Sequence, residues 1–130
     1  MGAGENTCTY AKKFLSEIPQ AVNLVGKCTL RESTEVLRQA DFYVGGDTGP
    51  LHLAAAVGLK GLAFYVNKLD WSLNGLDTPE RFGPWKSDIE IIQPEIPLMG
   101  CEKGCHKGYA HCINTINVDK PLKIMRYWFS

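Results

Sequence analysis

Apolar residues recur along this chain in two rhythms, and the alternation between them predicts its elements. Within residues 6–18, Ala11, Phe14, Leu15 and Ile18 fall at i, i+3, i+4 and i+7, the stripe of an amphipathic helix. The run "AVNLVG" at 21–26 predicts a buried strand. Thr29 and Glu32 have the spacing of a capping box and open a helix that reaches about Gln39. "DFYVGG" at 41–46 predicts the next strand, and a helix follows over 50–57 with Gly58 as its C-terminal cap. "GLAFYV" at 61–66 and "IEIIQP" at 89–94 predict two more strands. Between them, residues 67–87 combine Asn, Gly, Asp and Pro with Trp71, Phe82 and Trp85, which predicts a long ordered loop carrying aromatics. A last helix is expected from about Lys120 to Trp128, with Asp119 near its start. Strands and helices that alternate through short links predict an α/β fold, a parallel sheet covered by helices.

Composition narrows the class. A chain of 130 residues is long enough for one domain with a real core and too short for two. Its 45% hydrophobic and 22% charged residues read as an ordinary globular protein rather than a disordered one. Fourteen basic residues balance fourteen acidic ones, which argues against a nucleic-acid partner. No apolar run reaches the length of a membrane span, and the N-terminus lacks a signal-peptide core. The expectation is a cytoplasmic protein, with a peripheral contact at the inner face of the cytoplasmic membrane left open. "MGAGEN" stands directly before the first helix and resembles a strand-to-helix turn without its strand. It suggests a C-terminal piece of a longer protein; the other readings are an N-terminal tag or a small complete fold.

The segment "GGDTGPLHLAAAVG" at 45–58 carries the strongest chemical signal. In open parallel sheets, ligands bind beyond the carboxyl ends of the strands, where loops lead into helices. Gly45, Gly46 and Gly49 are expected to let the backbone approach a ligand and to adopt conformations closed to residues with a Cβ. Asp47 or Thr48 would cap the helix and Pro50 would take its first position. A helix start with free N–H groups favours an anion such as a diphosphate, and His52 in the first turn can reach the same anion. Ala54, Ala55 and Ala56 let the helix sit close to the sheet. The plainer reading is a structural glycine turn with a capping or packing histidine.

"DTGPLHLAAAVG", preceded by "LVGKCTLRESTEVLRQADFYVGG", resembles the signature of glycosyltransferase family 9, the family of ADP-heptose:lipopolysaccharide heptosyltransferases. The resemblance reaches back to "GAGEN" and forward to the cysteine-rich tail. It implies a Rossmann-like domain, the C-terminal donor-binding half of a GT-B enzyme whose two domains face a cleft. It places Asp47, Thr48 and Gly49 at the diphosphate and sugar of the donor, with the Thr48 and Gly49 amides as donors and His52 beside them. Lys27 and Cys28 would border the adenine, and Glu5 is the nearest candidate to hold the ribose. The implied reaction is transfer of a heptose or related sugar, with inversion, to lipopolysaccharide or another glycan or lipid-linked acceptor. The general base and the acceptor site would belong to a further domain, and no metal would be required. Where the family usually carries Gly-Pro-Thr, this chain has "YVNK", so Tyr65, Asn67 and Lys68 occupy the loop that would meet the sugar or phosphates. Lys68 would contact a phosphate or stand solvated. The alternatives are a nucleotide or nucleotide-sugar binding module without catalysis, and a metal-stapled interaction domain.

The segment 101–112, "CEKGCHKGYAHC", holds three of the five cysteines, with His106 and His111 interleaved. Cys101, Cys105, Cys112 and His106 could close a structural zinc or iron site. Reduced cysteines that pin a loop by packing are the plainer alternative.

Overall fold

The computed structural model describes residues 5–66, 78–101 and 111–130, with the backbone alone for Glu5 and Asn6. Its elements are α1 (Glu5–Glu17), α2 (Leu30–Arg38), β1 (Tyr43–Gly46), α3 (Gly49–Ala56), β2 (Gly61–Phe64), α4 (Pro79–Phe82), β3 (Ile89–Ile92), a 3-10 turn η1 (Cys112–Thr115) and α5 (Asp119–Trp128).

β2 is the centre of the sheet because it can be buried on both faces. Its Leu62 and Ala63 are fully inaccessible, which suits the continuous apolar run of a parallel strand. The order is β1-β2-β3, all parallel, with Tyr43 opposite Gly61 and Gly61 opposite Ile89. Leu37 of α2 and Leu51 and Ala54 of α3 pack with Tyr43, Ala63, Tyr65 and Ile89 to form the core. Full burial of Leu51 and of Leu62 stabilises the fold by roughly 2 kcal/mol each.

Helix ends follow the local chemistry of the sequence. Thr29 caps α2: its hydroxyl accepts from the Glu32 amide at 3.3 Å, and the Glu32 carboxylate accepts from the Thr29 amide at 2.7 Å. Those bonds from the Thr29 amide and hydroxyl hold the Glu32 carboxyl below its ordinary value. Its contribution is therefore complete above the usual carboxylate pKa and fades as pH falls through the lowered folded value. Thr29→Ala should cost about 1 kcal/mol. The melting-temperature gap from wild type is expected to be widest near neutral pH and to narrow in acid.

At the end of α3, Gly58 takes φ +75°, which only glycine adopts cheaply. Its amide donates to Ala55 and that of Leu59 to Ala54, the paired bonds of a Schellman cap. The chain then turns directly into β2. At the same, amino end of the sheet, Trp128 of α5 stacks on Phe42 with ring centroids 4.5 Å apart, and Lys120 pairs with Glu90 at 3.6 Å.

Two expectations need correction, and the apolar stripe of α1, a helix as expected, is incompletely covered. Residues 21–26 form no strand: no described strand lies beside them, and an unpaired strand leaves its backbone groups unsatisfied. The segment bonds locally instead, through Lys27 N to Leu24 O and Val25 N to the Asn23 side chain. The α1 stripe is only partly covered, since Ala11 and Leu15 are half-buried whereas Phe14 is 55% exposed. Within 67–87, the described part includes the helical turn α4, and Phe82 and Trp85 stand exposed. Trp71 lies outside the described residues.

Candidate functional site

The turn between β1 and α3 is built on two buried tyrosines. Tyr43, at the start of β1, turns its ring back under the strand, and its hydroxyl donates to Gly46 O at 3.4 Å. A Cβ at Gly45 would overlap that ring. Gly45 is glycine for packing, and none of Gly45, Gly46 and Gly49 has a positive φ, so the expected conformational reason does not hold for them. Tyr65, just beyond β2, is 1% exposed, and its hydroxyl donates to Phe82 O at 3.3 Å. It therefore ties the end of β2 to α4 and does not face a ligand, contrary to the expectation for the 65–68 loop. Asn67 and Lys68 lie outside the described residues.

Burial raises the Tyr65 phenol well above its ordinary value, and the nearby Asp47 carboxylate adds to the effect. Burial raises Tyr43, a hydrogen bond with Thr48 partly opposes it, and Asp47 adds a smaller upward push. Both phenols stay protonated across the physiological range. Asp47 itself is exposed, a hydrogen-bond acceptor held at the turn above two neutral rings.

Thr48 is the N-cap residue of α3, with φ −149° and ψ 167°. Its hydroxyl does not cap the helix; it donates to Gly46 O at 3.4 Å. Pro50 takes the second helical position rather than the first and removes one donor there. Leu51 N bonds to Thr48 O at 2.9 Å. The Thr48 and Gly49 amides thus stand at a helix start that the Thr48 side chain leaves uncapped, where the helix dipole is positive. No atom lies within 4 Å of a Cβ built on Gly49, so space beside that backbone is open. A cavity of about 300 Å³ runs along β1, from Phe42, Tyr43 and Val44 past Gly45 and Gly46 to Thr48 and Pro50 at the turn.

His52 is exposed on the first turn of α3. Lys27 is exposed and Cys28 half-buried, just before the α2 cap. α2 packs beside α3, and the short 39–42 link leads from its C-terminus to the amino end of β1. This topology sets Lys27 and Cys28 at the carboxyl end of the sheet, the same end as the turn. Glu5 is the first residue of α1. Neither Lys27 nor Cys28 lines the cavity along β1. A larger groove, about 590 Å³, runs between α1 and residues 21–25 and shares no lining residue with the turn. Its walls are mainly apolar, including Phe14, Leu15, Val22 and Leu24, with Lys13 and Glu17 among the polar ones.

The cysteine segment forms a second polar cluster. Cys101 Sγ lies 2.8 Å from His111 Nε2, and the ligand atoms of Cys101, His111 and Cys112 all fall within 4.8 Å of one another. All three residues are buried. Cys105 and His106 lie outside the described residues. His111, not among the expected ligands, joins Cys101 and Cys112; its place next to Cys112, at the opening of η1, was the available signal.

Comparison with known proteins gives the family and the fold. The family model described as glycosyltransferase family 9 (heptosyltransferase) matches residues 2–110. Lipooligosaccharide heptosyltransferase 2 of Campylobacter jejuni subsp. jejuni serotype O:2 is 23% identical over 131 aligned residues, covering 94% of this chain and 37% of that protein. The crystal structure of the family 9 glycosyl transferase from Veillonella parvula DSM 2008 superposes with a TM-score of 0.68 at 15% identity, over 98% of this chain and 35% of that one. The chain thus spans little more than a third of either relative.

Proposed function

Because this chain belongs to glycosyltransferase family 9, we propose that it is the donor-binding half of a larger transferase and that the 47–52 turn holds the diphosphate of a nucleoside-diphosphate sugar. The observation that carries the reading is the α3 start: a helix N-terminus without a side-chain cap and open space beside Gly49, reached by a cavity that runs along β1 to Thr48 and Pro50. The partly uncovered apolar stripe of α1, with Phe14 and Tyr10 exposed, supports a larger whole.

In the reaction, an acceptor hydroxyl attacks the anomeric carbon from the face opposite the diphosphate. The bond from that carbon to the diphosphate oxygen breaks, the nucleoside diphosphate leaves, and the hydroxyl proton passes to a base outside this chain. Configuration inverts. Negative charge grows on the leaving diphosphate, where preorganised amides and the helix dipole stabilise it, by about 3 kcal/mol for each well-placed donor. The Asp47 carboxylate would repel phosphate oxygens and suits a sugar hydroxyl, so it belongs on the sugar side. Lys27 and Cys28 would border the base and Glu5 the ribose. The reading extends to ADP-heptose as donor, a lipopolysaccharide or other glycan as acceptor, and work at the inner face of the cytoplasmic membrane. Heptose as the transferred sugar rests on the likeness to the Campylobacter heptosyltransferase. Any metal at the cysteine cluster would be structural.

Titration calorimetry with ADP and ADP-sugars tests the site. His52→Ala should weaken binding by about 10-fold, the loss of one charge-assisted hydrogen bond. Because His52 is exposed, its melting temperature should hardly move. Unchanged affinity would remove His52 from the site, and no binding by the unaltered chain would retire the reading.

A further inference from the structure

We propose that Cys101, His111 and Cys112 bind a zinc ion that staples the segment after β3 to η1 and α5. Their accessibilities are 3%, 6% and 3%, so two thiols and an imidazole share one dry site. Their ligand atoms lie within 4.8 Å of one another, and one thiol–imidazole pair is at 2.8 Å. A tetrahedral zinc with bonds of about 2.3 Å to sulfur and 2.0 Å to nitrogen separates such ligand atoms by about 3.5 Å. The Cys101–His111 pair would have to open from 2.8 Å toward that separation. Thiolate with imidazole is a donor set that selects zinc over magnesium or calcium, and these residues would supply three of its four ligands. Binding releases the thiol protons, so affinity should fall in acid.

The placement gives the ion a task. Cys101 follows β3, and His111 with Cys112 opens η1, which leads within a few residues into α5. η1 is already tied back toward β3 by the Thr115 hydroxyl, which donates to Ile96 O at 2.6 Å. α5 in turn stacks Trp128 on Phe42, beside the start of β1. A metal bridge between residues 101 and 111–112 would close this circuit and fix α5 against the sheet. The proposal does not depend on the donor-binding reading.

The test uses the purified chain with no added nucleotide. Elemental analysis after dialysis should find one zinc per chain. Replacing zinc with Co²⁺ should produce thiolate-to-cobalt absorption in the near ultraviolet and tetrahedral bands in the visible. Chelation should lower the melting temperature by several degrees, and zinc should restore it. Cys112→Ser and His111→Ala should lose the bound metal, whereas Cys8→Ser, at an exposed cysteine, should keep it. If those variants do not fold, the cobalt spectrum of the unaltered chain still decides. Absence of metal with an unshifted melt, a Cys101–Cys112 disulfide in non-reducing mass spectrometry, or full metal content in Cys112→Ser would each overturn the proposal.

Discussion

Gly49→Val should leave the fold standing and abolish donor binding. A Cβ at this position meets no atom within 4 Å, and the φ of Gly49 is not in the left-handed region, so the protein itself accommodates the side chain. The branched methyls would instead fill the open space beside the Thr48 and Gly49 amides, where the diphosphate is proposed to sit. Losing two charge-assisted bonds removes about 3 kcal/mol or more, a fall in affinity of about 100-fold or beyond. Calorimetry with ADP measures it, beside a thermal melt that should shift by no more than a degree or two. A variant that melts normally and still binds would take the turn out of the site. A variant that fails to fold would show that the space beside Gly49 is closed.

Gly61→Ala acts on the scaffold instead of the ligand and is expected to be the most destabilising single change. Gly61 lies opposite Tyr43 in the β1–β2 ladder. A Cβ built there overlaps the Tyr43 carbonyl and comes within 2.8 Å of the Tyr43 Cβ. The obstruction is largely backbone, so a side-chain rotation cannot relieve it and the two strands must separate. Overpacking of this kind costs about 3 kcal/mol, a large share of a small domain's stability. Circular dichroism should record a melting temperature lower by ten degrees or more. Donor binding should fall as well, because the 47–52 turn is carried on the carboxyl end of β1. A melt equal to wild type would mean that β1 does not lie over Gly61.

Gly49 and Gly45 show what local reading supplies and where it stops. The expectation at Gly49, close backbone approach to a ligand, rests on a motif and finds open space in the structure. At Gly45 the same expectation gives way to packing, because what excludes a Cβ there is the Tyr43 ring, two residues back on its own strand. Residues 21–26 are the sharper case. Their apolar run has the composition of a strand, yet a strand exists only through hydrogen bonds to a neighbour, and no described neighbour is present. Helix α1 is similar: its period is right, but period says only that a face is apolar, not what covers it.

Some features of this protein lie wholly in short-range chemistry and were determined by sequence alone. The Thr29–Glu32 box, the left-handed Gly58 after α3, the three apolar strands and the α/β alternation each depend on residues within a few positions of one another. The tertiary structure alone decided which groups meet across distance. It set the hydroxyl of Tyr65 against Phe82, seventeen residues on, and the thiol of Cys101 against His111, ten residues on. It also held Asp47 above two buried phenols. Those encounters depend on how the sheet and its connections pack, and no periodicity along the chain encodes them.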